Sequence, residues 1–342
     1  MSSKNGLVHL CGSVPLSNAE EVFRTAVTHL GGLIRRLPDG ETGERHNWIA
    51  WQLSKLQTHP DLEPISKGLD YGPGVRVGPK PGVDPASVRF GSLGYAEAAI
   101  ESWGVFSELR SAGVIPPGVR FQVSLPTPIA VVAAYIGAHQ DVLEQAYEKR
   151  MLEELAEIMD VVPAEDLAVQ WDTAVEFGVL EEVFPVWFDP DLDKEAELVK
   201  RLVRLGDAVP AEVELGYHLC YGDYEHRHFV QPADTSKLAS VATKVATGLK
   251  RSLNWVHMPV PRDRDDDAYF EPLRTMTLQE GTKLYLGLVH ATDGEEGARR
   301  RIAAARKVVP EFGIATECGM GRRPAEQIDG LLALHATLAK SL

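Results

Sequence analysis

The chain has 342 residues, 44% of them hydrophobic, and a formal net charge of −14 from 35 Lys plus Arg against 49 Asp plus Glu. That length and content suit a large buried core and exclude a disordered chain, while the acidic balance repels phosphate backbones and excludes general nucleic-acid binding. The three cysteines, Cys11, Cys220 and Cys318, cannot form a disulfide framework, no run of about 18 apolar residues reads as a membrane span, and the start does not read as a signal peptide. A reducing, cytoplasmic setting is the expectation.

Along the chain, short apolar runs alternate with long amphipathic stretches. Runs at 7–11, 33–37, 119–124, 167–172, 212–217, 253–258, 283–289 and 313–317 are too short for globular helices and suit buried strands. Ser17-Asn18-Ala19-Glu20 suits a capping box ahead of Val22, Phe23, Val27 and Leu30. Helical periodicity recurs at 96–109, 130–136, 142–158, 196–205, 238–249, 295–308 and 325–338. Eight alternations predict an α/β chain closed as a (β/α)₈ TIM barrel, with residues 1–342 as one domain. An open doubly wound sheet is less suited, because no GxGxxG turn follows the first strand. Residues 57–92 are rich in Gly and Pro, including Gly72-Pro73-Gly74 and Gly78-Pro79-Lys80-Pro81-Gly82. They read as a long βα insertion near the barrel mouth.

Chemistry in such a barrel sits at the C-terminal ends of the strands. Titratable residues collect there in this sequence: Asp39-Gly40-Glu41, Gln170-Trp171-Asp172, His218-Leu219-Cys220, His257, His290 and Glu317-Cys318. His218-x-Cys220 is the sharpest signal. Residues two apart in an extended segment point to the same side, so an imidazole and a thiolate converge. Zinc takes such ligands, and Cys318 at another tip can supply a third. Against this stands the ordinary reading of a free cysteine as a small, inert, buried hydrophobe. Cys11 reads that way, and Trp171 and Trp255 read as barrel packing. Tyr221 and Trp48 are placed for a pocket wall, and Arg322-Arg323 for a substrate carboxylate or a cap. His226 and His228 suit a loop at the mouth better than extra ligands, and residues 263–267 suit a solvated surface better than Mg²⁺.

Five segments in order resemble the cobalamin-independent methionine synthases. Their wider superfamily also holds uroporphyrinogen decarboxylase and zinc-dependent coenzyme M alkyltransferases. Gly12-Ser13-x-Pro15 resembles the family's opening turn, and Gly40-Glu41 with Arg45 and Asn47 its Gly-Glu segment. Gln170-x-Asp172 resembles Gln-x-Asp-Glu-Pro, His218-Leu219-Cys220-Tyr221 the zinc segment, and Cys318-Gly319 the closing Asp-Cys-Gly. The resemblance implies Zn²⁺ on His218, Cys220 and Cys318, activating a substrate thiol. It implies Ser13, Glu41 and Asp172 against the amino-acid part of a homocysteine-like substrate. The family's Asp-Glu-Pro is here Asp172-Thr173-Ala174, and its Glu ligand near the sixth strand is absent. His257 stands nearby and is taken as a fourth ligand or a substrate contact.

The expected function is therefore methyl or alkyl transfer to a small thiol, with Glu41, Asp172 and His257 catalytic. Ser13, Glu41, Asp172, Tyr221 and Arg322 are the expected substrate contacts. The donor is a folate, a corrinoid protein or another alkyl carrier. The alternatives are a zinc Lewis-acid lyase or hydrolase on the same barrel, and a zinc- or thiol-binding protein without turnover.

Overall fold

The structure, a computed structural model, describes residues 6–67, 74–224 and 227–342. Gly72 and Pro73 of the insertion, and His226, lie outside them. Its strands are β1 Arg36–Pro38, β2 Leu62–Lys67, β3 Val75–Pro79, β4 Arg120–Pro126, β5 Leu167–Thr173, β6 Glu214–Leu219, β7 Trp255–Pro259, β8 Lys283–Val289 and β9 Gly313–Thr316. Its helices are α1 Ala19–Leu30, α2 Gln52–Gln57, α3 Tyr95–Ser111, α4 Pro128–Tyr135, α5 Gln140–Val161, α6 Val175–Leu180, α7 Lys194–Asp207, α8 Ser236–Gly248, α9 Asp267–Phe270, α10 Gly294–Arg306 and α11 Ile328–Ala339.

The main sheet runs β1-β4-β5-β6-β7-β8-β9, every neighbouring pair parallel. Val8 bridges in parallel to Ile34 on one side and to Ile314 of β9 on the other, which joins the two edges of the sheet. The eighth strand of the barrel is thus a single bridging residue rather than the five-residue run expected at 7–11. Backbone bonds from His9 N to Ile314 O and from Ile314 N to Leu7 O hold this seam. The central strands are buried on both faces, as parallel strands covered by helices must be.

Side chains alternate between two apolar environments. Trp171 points outward into the main core under the helices, while Trp255 packs with Ala168 and Tyr285 inside the barrel. Gly216 makes room for that indole: a Cβ there would lie 1.9 Å from Trp255 Cε2. At the N-terminal end of the strands, Glu214 accepts from Arg36 at 2.6 Å and from Arg35 at 2.8 Å, with Arg120 at 3.4 Å. The Arg36 guanidinium also lies 3.9 Å over the Trp255 ring.

The helices start where their caps allow. The reciprocal cap of α1 is one residue later than expected: Asn18 accepts from Glu21 N, and Glu21 accepts from Ser17 N, both at 2.9 Å. Glu154 of α5 reaches the first turn of α3 and accepts from Tyr95 N at 2.7 Å and Ala96 N at 3.1 Å, satisfying N–H groups a helix cannot pair internally. Within the insertion, β2 and β3 form an antiparallel pair, and Val77 bridges to Ile136 just after α4. The acidic run at 263–267 lies on the surface. There Asp266 caps α9 and pairs with Arg264, and Asp265 pairs with Arg300. No helix among the described residues is long and apolar enough to cross a membrane.

Candidate active site

The register β5-β6-β7 sets Asp172 beside His218 and His218 beside His257. Cys220 follows one residue after β6, and Cys318 two residues after β9. The ligand atoms of His218, Cys220 and Cys318 lie within 4.8 Å of one another. The two sulfurs are 3.6 Å apart. Two thiolates at about 2.3 Å from a tetrahedral zinc stand about 3.8 Å apart, so the pair is close to the spacing that ion needs. His218 Nε2 is buried and has no hydrogen-bond partner. One nitrogen and two sulfurs make a soft donor set that suits zinc and leaves a fourth position open. The residues present therefore fit the metal.

Gly222 N donates to Cys220 Sγ at 3.2 Å, and Arg322 lies 3.9 Å from Cys318 Sγ. Such donors favour thiolate character. Contact with Cys318, and then burial, push the Cys220 thiol well above its ordinary range. Burial does the same to Cys11, which is core as expected but also lines the floor of the cavity.

That cavity encloses about 1060 Å³ of open space, its mouth included. Its inner end carries Ser13, Glu41, Asp172, His218, Cys220, Cys318 and Arg322. Apolar walls of Trp48, Ile49, Tyr135, Val175, Phe184 and Phe229 complete the lining. Glu41 sits in the left-handed backbone region at φ 47°, a conformation costly for a side-chain-bearing residue and common at functional sites. Asp39 holds it there by accepting from Glu41 N at 2.9 Å, and is itself bound by Arg45 and Ser102, both at 2.8 Å. Gly12 permits the approach, because a Cβ there would lie 2.2 Å from Glu41 Oε1.

Burial pushes the Glu41 carboxyl up to about 7, with Arg45 opposing and Asp39 adding to the rise. Burial, and then the Glu41 charge, raise Asp172 well above its ordinary range. Two buried carboxyls, one raised by burial and the other by burial and its neighbour's charge, make a site for a cation. Asp172 is oriented by Gln170, whose amide donates to Asp172 Oδ1 at 2.8 Å and to the Cys11 carbonyl. Gln170 Oε1 accepts in turn from His9 at 2.8 Å and Trp255 at 3.3 Å.

Tyr221 and His257 are not at the cavity surface. Tyr221 is fully buried behind the wall, its hydroxyl donating to Glu181 at 3.0 Å. Strand alternation turns it away from the side that His218 and Cys220 share. Tyr224 takes a place in the lining. His257 is fully buried behind His218, the two Nδ1 atoms 2.6 Å apart. Burial pushes His257 down to about 3, and burial with His257 lowers His218. Arg322 reaches the cavity but is tied to Asp223, at 2.8 Å to its carbonyl and 3.0 Å to its carboxylate. His228 turns its Nδ1 toward Gln231 at 3.3 Å. Beyond these, the strand tips hold a pair that sequence reasoning missed. His290 Nδ1 lies 3.2 Å from Glu317. Burial alone would raise Glu317, but His290, His228 and Arg323 hold it at about 2.

Glu176, in the first turn of α6, is 2% exposed, with Thr127 and backbone N–H groups around its carboxyl. Burial pushes it from 4.5 to about 7, outweighing those hydrogen bonds. The folded chain then keeps a proton that the unfolded chain releases, so stability falls as pH rises from about 4.5 to about 7. E176Q is expected to stabilise the protein by up to about 3 kcal/mol at pH 8, and hardly at all near pH 4.5. Urea unfolding at the two pH values measures this, and an equal effect at both would contradict it.

No protein-family model matches the chain, and no curated protein does. Solved structures do. A Listeria monocytogenes protein assigned as a vitamin-B12-independent methionine synthase is 15% identical with TM-score 0.61, covering 98% of each chain. A B12-independent methionine synthase from Shewanella sp. W3-18-1, in complex with selenomethionine, is 15% identical with TM-score 0.64, covering 98% of this chain and 97% of that one. The fold is that of the B12-independent methionine synthases. A methyltransferase from Methanosarcina mazei shares it at 13% identity and TM-score 0.52, covering 96% and 93%. At these identities the likeness is one of fold, and it spans almost the whole of each chain.

Proposed function

We propose that this chain is a zinc-dependent transferase that places a methyl or other alkyl group on the thiol of a homocysteine-like amino acid. The observation that carries the reading is the meeting, at one end of the barrel, of two sulfurs 3.6 Å apart, an unpartnered buried imidazole nitrogen, and the facing carboxyls of Glu41 and Asp172. His218, Cys220 and Cys318 hold the zinc. Bound zinc lowers the pKa of a substrate thiol and so supplies a thiolate nucleophile near neutral pH.

The chain's own residues do the rest. Glu41 and Asp172 bind the substrate ammonium, which draws both carboxyls into their charged forms. Gln170 keeps Asp172 aimed, and Asp39 keeps Glu41 aimed. Ser13 and Arg322 stand at the same end of the cavity for the substrate carboxylate. The apolar walls exclude water and receive the donor. Arg322 is the only Lys or Arg among the described lining residues, and Asp223 already holds it. A neutral or corrinoid carrier therefore suits the chamber better than a donor with a polyanionic tail.

The test is methylthioether formation from homocysteine with methylcobalamin and with methyltetrahydrofolate as donors, using zinc-loaded protein. E41Q is expected to raise KM for homocysteine at least about tenfold, the worth of one charge-assisted hydrogen bond. It is expected to leave 4-mercaptobutyrate, which lacks the amine, unaffected. No product with either donor, or an equal loss for both thiols, would defeat the reading.

A further inference from the structure

We infer that His257 is a positioning residue: anchored on the Thr316 carbonyl, it fixes His218 in the tautomer that carries its proton on Nδ1 and presents a bare Nε2. The inference deepens the proposed function, because zinc is what that bare nitrogen would bind. The tautomer itself follows from hydrogen bonds alone.

His257 Nε2 lies 3.0 Å from the Thr316 carbonyl oxygen. A carbonyl only accepts, so this nitrogen carries the proton. Both rings are enclosed, with no carboxylate hydrogen-bonded to either, and a neutral imidazole carries a single N–H. His257 Nδ1 is therefore a lone-pair acceptor. Its neighbour at 2.6 Å is His218 Nδ1, which must donate. The proton of His218 is then committed, and Nε2 is left as a lone pair. That atom is buried and has no donor in reach. Thr316 to His257 to His218 forms one directional chain, and it ends on the one nitrogen of the pair with nothing bound to it.

The competing arrangement is a second metal held by Cys11, His218 and His257, whose ligand atoms also lie within 4.8 Å of one another. An ion shared by the two Nδ1 atoms does not fit. Two nitrogens about 2.05 Å from a tetrahedral ion stand about 3.3 Å apart, against 2.6 Å here. Cys11 Sγ is almost equidistant from the two ring nitrogens of His257, at 3.8 and 3.7 Å, so it faces the ring side-on. His257 is thus neither the fourth zinc ligand nor a substrate contact, the two roles the sequence suggested. Three protein ligands remain. Ligating histidines are ordinarily fixed through their second nitrogen by a carboxylate, a carbonyl or water; here a second histidine relays a carbonyl.

Nitrogen-15 NMR of histidine-labelled, metal-free protein reads the tautomers directly. The expected result is a proton on Nδ1 of His218 and on Nε2 of His257. A proton on Nε2 of His218 would overturn the inference. With zinc added, X-ray absorption should fit one imidazole, and two would make His257 a ligand and overturn it as well. H257L is expected to weaken zinc about 10–100-fold in a chelator competition. H257N, which keeps an acceptor oxygen near the place of Nδ1, is expected to retain most of the affinity. Equal loss in both would count against the relay. Should zinc not bind at all while the wild-type tautomers are as stated, the proposed function fails and the relay stands.

Discussion

Cys220→Ser is expected to weaken zinc binding by more than about a hundredfold, a larger loss than second-sphere changes produce. Cys318→Ser should do the same. A serine hydroxyl stays protonated where a thiol ionises, so the substitution removes a ligand while almost preserving shape. Both positions follow strand ends and carry no strand hydrogen bond through the sulfur, so the fold should survive, as far-ultraviolet circular dichroism would show. Cys11→Ser is the internal control: its sulfur faces the His257 ring rather than the open nitrogen, and its zinc affinity should stay within a few-fold of the parent. The measurement is chelator competition with metal counted per chain. Either serine variant holding zinc as tightly as the parent would remove the site.

The second large effect lies at the opposite end of the strands. Glu214→Leu should destabilise the protein by about 3–5 kcal/mol, the usual consequence of removing one partner from a buried ion pair. Arg36 is only 3% exposed, and the carboxylate is what compensates its charge. Burial alone would raise Glu214, but Arg36, Arg35 and Arg120 hold it below its ordinary range. Its contribution is therefore present above the unfolded carboxyl's pKa and is lost as pH falls. Denaturant unfolding at pH 7 measures the loss, and zinc affinity of the folded variant should not change. A loss of zinc without a loss of stability would contradict the division of the barrel into a supporting base and a reactive rim.

Much of this was legible in the sequence because parallel strands buried on both faces leave short, dense apolar runs. The run at 283–289 coincides with β8, and those for β4, β5, β6, β7 and β9 fall within one or two residues. The first strand was over-read, since apolar content cannot distinguish five paired residues from the single bridge at Val8. The clustering of His218, Cys220 and Cys318 was readable from spacing and strand order. Tyr221 was misplaced although the same alternation rule that joined His218 to Cys220 turns their neighbour outward. Asp39, the His290–Glu317 pair and the His257 relay were not readable. Each depends on which ring nitrogen or carboxylate oxygen meets which partner across the barrel, and no local pattern encodes that. The cap at Asn18 was missed by one residue because Ser17 and Asn18 are both good caps, and the choice rests on which acid, Glu20 or Glu21, reaches back.

The Val8 seam has a consequence for the order of assembly. The backbone partners of residues 7–9 at Ile314 lie some three hundred residues later in the chain. Contacts that distant in sequence form late, because the loop they close is costly in entropy. The ring cannot shut during synthesis until Ile314 has been released. The sulfur of Cys318, four residues beyond Ile314, becomes available at the same moment. Ring closure and completion of the proposed metal site are therefore one event, and a nascent chain stalled before that point would hold neither.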